Sequence, residues 1–260
     1  MQFKTLLIFG VMFSLACNDH AGNENDQHRQ APSKTTDDNP YRHIRDVPLP
    51  EGFERTTADS GSFATWLRNR ELKKNKTVYL FNGEPKYNQA AQYAVLDIST
   101  GNKDLQQCAD AVMRLRAEYL FDRQEFNAIV FFDNDNTAYR LLPPYNKANF
   151  SSYLNRVFGM CGSASLSKHL RPVDSFGEIK VGDVIIRGGF PGHAVIVVDV
   201  ATDKSGRRIF MLAQSYMPAQ DIHVLKNPLY DFLSPWYLVN GRALIQTPEY
   251  TFYANELKQW

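Results

Sequence analysis

The chain has 260 residues, of which 43% are hydrophobic and 13% aromatic, enough for one large globular domain or two small ones. The formal net charge is +1 and no long run of Lys or Arg occurs, which excludes a general nucleic-acid binder. The cysteines at positions 17, 108 and 161 do not form a disulfide framework, and no Cys/His cluster has zinc-ligand spacing. We therefore expect no metal and no cofactor.

Residues 1–17 are interpreted as a lipoprotein signal peptide. Lys4 precedes an apolar run over residues 6–15 that is too short to span a membrane comfortably. Ser14-Leu-Ala-Cys17 then resembles a bacterial lipobox, in which the cysteine is lipidated and becomes the new N terminus. The alternative is an ordinary secretory signal cleaved near Ala16. The lipobox predicts a protein of the cell envelope, anchored to the membrane through a lipid on Cys17, on the periplasmic or outer-membrane side.

Residues 18–45 contain almost no aliphatic side chains, and such a composition cannot offset chain entropy by burial. We predict a disordered polar tether over this stretch. Residues 46–260 then form a single α+β domain. Strands are predicted by β-branched and aromatic content, and helices by apolar spacing and caps. In chain order the predicted elements are a helix over 62–70, strands over 77–81 and 93–98, a helix over 104–120, strands over 128–132 and 139–142, helices over 150–158 and 165–170, and strands over 183–187, 193–200, 209–214, 222–224 and 243–246.

The helix over residues 104–120 is the most informative of these elements. Asp104 is predicted to be its N-cap, and Gln107 completes a capping-box spacing. Cys108 then falls at the fourth helical position, where the helix dipole favours an anion and eases loss of the thiol proton. The alternative is that Cys108 is a small apolar core residue, as free cysteines often are. Cys161 has no capping residue or base nearby and is interpreted as structural.

A glycine-rich turn joins two of the predicted strands, and the second of them begins at His193. The hairpin loop at 202–206 returns the chain beside this strand, which brings Gln214 close to His193. Asp199 lies about 20 Å along the strand and cannot reach the ring. His223 stays open as a second candidate for the group that orients His193. The alternative for His193 is a turn histidine bonded to backbone.

A thiol at a helix start, a histidine at a strand start and a polar residue on the next strand are the parts of cysteine nucleophilic catalysis. His193 would take the thiol proton of Cys108, and Gln214 would fix the imidazole tautomer. Helix-start N–H groups would hold the oxyanion, with Gln107 or Gln106 contributing a side-chain amide.

Two resemblances follow from these motifs. Gln106-Gln-Cys-Ala-Asp-Ala-Val112, Gly182-Asp-Val-Ile-Ile186 and Gly192-His-Ala-Val-Ile-Val-Val198 resemble the papain-like NlpC and CHAP families of cell-wall amidases and peptidases. That resemblance implies a papain-like α+β fold, an antiparallel sheet packed against the helix that carries the cysteine. It also implies hydrolysis of peptide or amide bonds in peptidoglycan by Cys108, His193 and a third polar residue.

The second resemblance covers residues 47–258 and is to a bacterial lipoprotein family known as domain of unknown function 4846. It rests on stretches such as Gly61-Ser-Phe-Ala-Thr-Trp-Leu-Arg68, Asp104-Leu-Gln-Gln-Cys-Ala-Asp-Ala-Val112 and Ala213-Gln-Ser-Tyr-Met-Pro-Ala-Gln220. This second family implies no activity. The lipobox and the NlpC/CHAP resemblance together lead to the expectation of an envelope cysteine hydrolase that acts on peptidoglycan or a peptide. The alternative is a catalytically inactive envelope lipoprotein that binds cell wall or a protein partner.

Overall fold

The structure is a computed structural model that describes residues 38–260, and these residues belong to one compact unit. The predicted signal peptide, Cys17 and residues 18–37 of the predicted tether lie outside the described residues. The helices are α1 (Phe63–Arg68), α2 (Cys108–Asp122), α3 (Lys147–Met160) and α4 (Ser163–His169), with 3-10 turns at Ile44–Asp46, Phe126–Ala128, Phe176–Glu178 and Ala254–Glu256.

The strands are β1 (Phe53–Arg55), β2 (Gln92–Val95), β3 (Val130–Phe132), β4 (Ala138–Arg140), β5 (Arg171–Pro172), β6 (Val184–Arg187), β7 (His193–Asp203), β8 (Arg208–Gln214), β9 (His223–Leu225), β10 (Tyr237–Leu238), β11 (Leu244–Gln246), β12 (Thr251–Tyr253) and β13 (Leu257–Gln259). Nine of them form one sheet in the order β2-β9-β8-β7-β6-β13-β5, with β1 paired to β7 and β10 to β8. All of these pairings are antiparallel. The fold is thus α+β, with a large antiparallel sheet and few helices.

The central strand β7 separates two hydrophobic cores because successive side chains point to opposite faces. Ala194 and Ile196 belong to the core that contains α2. Val195 and Val197 belong to a second core, which includes Phe252 of the β11–β12 hairpin. Helix α2 therefore covers one face of the sheet, and the hairpin covers the other.

The predicted tether ended at residue 45, but its last residues pack on the domain. Asp38 and His43 form isolated β-bridges with Asn75 and Glu71, and Ile44 is completely buried. The prediction was wrong at this end because Ile44 is a single aliphatic side chain in a polar stretch. The average composition of residues 18–45 is polar, so it does not predict that Ile44 is buried in the core.

The predicted strand over residues 77–81 is also wrong. Tyr79 and Leu80 make only isolated bridges, to Pro85 and Gln220. The chain reverses at once through a turn at Gly83, whose φ is +85°, and the backbone N–H of Leu80 donates to Glu84. Because the chain turns back directly after Leu80, too few residues remain to form a continuous strand pairing. The β-branched and aromatic content of residues 77–81 is nevertheless typical of strands.

Within residues 38–260, no helix combines the length and the apolar character needed to cross a membrane. Asp133, in the Asp/Asn cluster between β3 and β4, uses its side chain for local structure. Its Oδ1 accepts from the backbone N–H groups of Asp135 and Thr137, and its Oδ2 from the Tyr139 hydroxyl. This is the turn chemistry that the cluster predicts.

Candidate functional site

Cys108 is the first residue of α2, and Gln107 is the N-cap in extended backbone conformation. The prediction that Asp104 caps the helix was wrong. The capping pair is Gln107 and Asp110, whose Oδ2 accepts from the Gln107 backbone N–H at 2.9 Å. Asp104 instead accepts from the backbone N–H of Ala219 at 2.7 Å and from the Gln107 side-chain amide at 3.2 Å. The helix thus begins later than predicted because two cap spacings overlap here.

The thiol of Cys108 is buried, with 7% of the residue exposed. Burial raises its pKa above the ordinary value, and the charge of Asp110 raises it further. The backbone N–H groups of Ala109 and Ala194 lower the pKa, as does the N–H of Cys108 itself. The sequence predicts a lowered pKa for the Cys108 thiol, and this prediction was wrong. Loss of solvation raises the pKa by more than the N–H groups at the helix start lower it. Cys108 lies in the same hydrophobic core as Ala194, the residue that follows His193.

His193 begins β7 and is almost completely buried. Its Nε2 lies 2.8 Å from Oε1 of Gln214, the last residue of β8. The hairpin loop predicts that Val200 or Ala201 pairs with about Ile209, and in the structure Ala201 pairs with Ile209. The register shifts by one residue between Val197 and Asp199, and this bulge moves the position opposite His193 one residue closer to Gln214.

The amide of Gln214 has neighbours on both sides. Its Nε2 donates to Oε2 of Glu249 at 2.8 Å and lies 3.4 Å from Nε2 of His223. A carboxylate only accepts hydrogen bonds, so the amino end of Gln214 must face Glu249. Oε1 of Gln214 then faces His193 and accepts a hydrogen bond from its Nε2. The proton of His193 is therefore assigned to Nε2, and Nδ1 carries a lone pair.

His223 fits the same network from the other side. Its Nδ1 lies 2.9 Å from the carbonyl oxygen of Asp221, which can only accept a hydrogen bond, so the proton of His223 is on Nδ1. Nε2 of His223 is then the acceptor for the second N–H of Gln214. His223 thus contacts Gln214, and it is Gln214 that contacts His193.

Three aromatic rings surround His193. Its ring centroid lies 4.7 Å from that of Tyr216, 4.9 Å from Tyr250 and 5.7 Å from Phe252. Burial lowers the pKa of His193 to about 4, although the hydrogen bond to Gln214 and the charge of Glu249 oppose that shift. The imidazole is accordingly neutral at pH 7.

Tyr216 connects the histidine to the cysteine. Burial raises the pKa of its phenol, and the charges of Glu249 and Cys108 raise it further. The phenol therefore lies within electrostatic range of the thiol as well as in contact with the His193 ring. We call Cys108, His193, Gln214, Tyr216 and Glu249 the strand-end cluster.

The other candidate residues have separate contacts. Gln107 turns its side-chain amide to Asp104, as described above, and Gln106 is buried with its Nε2 3.4 Å from the carbonyl oxygen of Gln220. Asp199 forms ion pairs with Arg55 and Arg68, at 2.6 Å each. Cys161 is buried and free, and burial raises its pKa to about 12.

Sequence reasoning missed Glu249 and the residues that hold it. Glu249 accepts from Lys86 Nζ at 2.6 Å and from Asn88 Nδ2 at 3.1 Å. These residues come from loops far apart in sequence, and no spacing links them to His193 or Gln214. Within the described residues, no group of three or more His, Cys, Asp or Glu side chains is arranged to hold a metal ion.

Comparison with known proteins identifies the family. The model of the family described as Domain of unknown function (4846) matches residues 45–142 and 132–259. These matches cover most of the chain, and the chain belongs to this family. No curated protein and no solved structure matches it.

Proposed function

We propose that the protein is a cysteine hydrolase of the cell envelope with a papain-like, NlpC/CHAP-type fold, acting on peptide or amide bonds of peptidoglycan. The observation that supports it most is the state of His193. Gln214 holds Nε2 of the ring in its protonated form, so that Nδ1 offers a lone pair as a base. Cys108 and Ala194, the next residue in the strand, are buried in the same hydrophobic core.

The proposed reaction begins with a neutral thiol and a neutral imidazole, in line with the directions of their pKa shifts. Nδ1 of His193 takes the thiol proton as the sulfur of Cys108 attacks the carbonyl carbon. The backbone N–H groups of the first turn of α2 are available to the oxyanion. The imidazolium then returns the proton to the leaving amine, and water hydrolyses the thioester to the acid and the free thiol.

The side chain of Gln107 is proposed as an additional oxyanion donor. In the structure its amide donates to Asp104, so it would have to turn from that carboxylate towards the substrate. The exposed side chains of Phe190 and Met217 come close in sequence to His193 and Gln214, which supports a substrate path over these strand ends.

A second candidate is a catalytically inactive lipoprotein that binds cell wall or a protein partner. Burial favours it, because Cys108, His193 and Gln214 are all nearly inaccessible and the pKa of the thiol is raised. The two candidates differ in thiol reactivity. An active Cys108 reacts with iodoacetamide much faster than the structural Cys161, whereas an inactive site gives two equally slow thiols.

Substitution of the nucleophile tests the proposed hydrolase. Full-length protein is incubated with purified peptidoglycan, and newly released amino and carboxyl groups are measured. We expect Cys108→Ala to abolish release while costing only about 1 kcal/mol of stability. Cys161→Ala is the matched control, because that thiol is equally buried, and it should retain full activity. Equal release by wild type and Cys108→Ala would reject the proposal.

We also propose that a lipid on Cys17 anchors the protein to the membrane of the cell envelope. The lipobox-like Ser14-Leu-Ala-Cys17 supports this. Cys17→Ala should move the protein from the membrane fraction to the soluble fraction with the domain still folded. Unchanged detergent partitioning of this variant would argue for a different means of attachment.

A further inference from the structure

We propose that Glu249 is a positioning residue that fixes the amide of Gln214 and thereby the tautomer of His193. Its relevance to a reaction rests on the proposed hydrolase, but the tautomer itself can be measured without any substrate. Glu249 lies outside the three elements that carry Cys108, His193 and Gln214.

The carboxylate of Glu249 is held in place by three donors. Lys86 Nζ and Gln214 Nε2 donate to Oε2, at 2.6 and 2.8 Å, and Asn88 Nδ2 donates to Oε1 at 3.1 Å. The side chain of Glu249 is 12% exposed and that of Lys86 is 8% exposed. A charge-assisted network so well shielded from water has one preferred arrangement.

Gln214 needs such a neighbour because the two ends of an amide have nearly the same shape. If the amide turned over, its Nε2 would face Nε2 of His193, and that nitrogen would have to accept. The proton of His193 would then move to Nδ1, which could no longer take the thiol proton. An acceptor-only group behind Gln214 prevents this, because the turned amide would point its oxygen at the carboxylate.

His223 is the weaker of the two acceptors that face the Gln214 amide. The carbonyl oxygen of Asp221 keeps the proton of His223 on Nδ1, so its Nε2 is a neutral acceptor, whereas the Glu249 carboxylate is charged. The contact from Gln214 Nε2 to His223 is 3.4 Å, longer than the 2.8 Å contact to Glu249. The carboxylate is therefore the stronger of the two groups that orient the Gln214 amide.

The test measures the tautomer of His193 by NMR in full-length protein labelled with ¹⁵N-histidine. The variant is Lys86→Met/Glu249→Gln. It keeps the size of both side chains and replaces the carboxylate by an amide that can donate. It also removes the ammonium of Lys86, which would otherwise hold the new amide oxygen at the Oε2 position that faces Gln214.

Glu256→Gln is the matched control, and Lys86→Met alone, which keeps the carboxylate, is a second control. Glu256 also forms a largely shielded ion pair, with Arg187 at 2.5 and 2.9 Å, and its side chain is 16% exposed, but it accepts nothing from Gln214.

We expect His193 to carry its proton on Nε2 in wild type, in Glu256→Gln and in Lys86→Met, and to populate the Nδ1–H form in Lys86→Met/Glu249→Gln. Adding Gln214→Glu to that double variant should restore the Nε2–H form, because an acceptor-only carboxylate then faces the ring directly. An Nδ1–H ring in wild type would overturn the proposal without any variant. So would a Lys86→Met/Glu249→Gln ring that stays fully Nε2–H.

Hydrolysis provides an independent readout. Lys86→Met/Glu249→Gln should lower kcat by about 10- to 100-fold relative to Lys86→Met, with KM little changed, the pattern expected when the base is misoriented. If peptidoglycan is not hydrolysed at all, the proposed function fails while the tautomer result stands. If hydrolysis requires Cys108 but Lys86→Met/Glu249→Gln keeps the wild-type tautomer and kcat, only the role of Glu249 fails.

Discussion

At the scale of single residues, the strand-end cluster combines a deeply buried imidazole with a fully bonded amide. The pKa of His193 is lowered to about 4 because its charged form would lose solvation, and that of His223 is lowered to about 3 for the same reason. Each histidine has hydrogen-bond partners that suit its neutral form. The hydrogen bonds around Gln214 are therefore made by two neutral rings, whose charged forms folding disfavours.

Because folding lowers the pKa of His193, the stability of the protein should change with pH. Between about pH 6.5 and 4 the unfolded chain binds a proton at His193 and the folded protein does not. The free energy of unfolding therefore falls as pH falls through this window. A difference of this size between folded and unfolded pKa corresponds to roughly 3 kcal/mol. In His193→Gln this contribution disappears, so between pH 7 and pH 4.5 the loss of stability should be smaller by roughly 2 kcal/mol.

The measurement is urea denaturation of wild type and His193→Gln at pH 7 and pH 4.5. The comparison between the two proteins is essential because Asp110, whose pKa burial raises to about 8, contributes with the opposite sign. That contribution is present in both proteins and cancels. Identical losses of stability in the two proteins would show that the pKa of His193 is not lowered by folding.

At the scale of elements, the turn before β7 is fixed by its contact with α4. A Cβ on Gly192 would lie 2.5 Å from the carbonyl oxygen of Gly189 and 2.8 Å from that of Arg187, and it would also collide with the Ser163 side chain. Gly192 therefore allows the turn to pack tightly against the start of α4. His193 follows directly, so the same packing positions the imidazole.

Gly192→Ala should destabilise the protein by about 1–3 kcal/mol, because backbone atoms must move to admit the methyl group. The ring signals of His193 should shift with it. Gly159→Ala is the control, since Gly159 lies on an exposed part of α3 with nothing within 4 Å of the added Cβ. Replacing a helical glycine there should stabilise by up to about 1 kcal/mol. Thermal melting of both variants measures this, and a neutral Gly192→Ala would contradict the close packing.

At the scale of the whole molecule, Asp199 joins the N-terminal part of the domain to the central sheet. Its carboxylate is completely buried and accepts from Nε of Arg55 in β1 and of Arg68 in α1, each at 2.6 Å. Asp199 itself lies in β7, just past the bulge. One carboxylate thus connects three elements that are distant in sequence.

Asp199→Asn should lower the free energy of unfolding by about 3–5 kcal/mol, because it leaves two arginines facing a neutral group in a site shielded from water. Glu71→Gln is the control. Glu71 pairs with Arg42 at the surface, where the two side chains are 55% and 77% exposed, and an exposed pair contributes at most about 1 kcal/mol. Urea denaturation of both variants tests the difference, and equal losses would show that Asp199 is not a central connection.

The sequence alone determined much of the local structure. Apolar spacing and caps predict the helices α1 and α2. The 202–206 hairpin predicts that Gln214 approaches His193. These features depend on residues close in the chain, where periodicity and turn chemistry act directly.

Only the tertiary structure decided the rest. The start of α2 depends on Ala219. Its backbone N–H donates to Asp104, and Gln107 is the N-cap instead of Asp104. The pKa of Cys108 depends on burial, which no local spacing reveals. Glu249 reaches Gln214 from another part of the chain, and it determines the tautomer of His193. The physical reason is the same in each case, because desolvation and hydrogen-bond partnership depend on neighbours that only folding brings together.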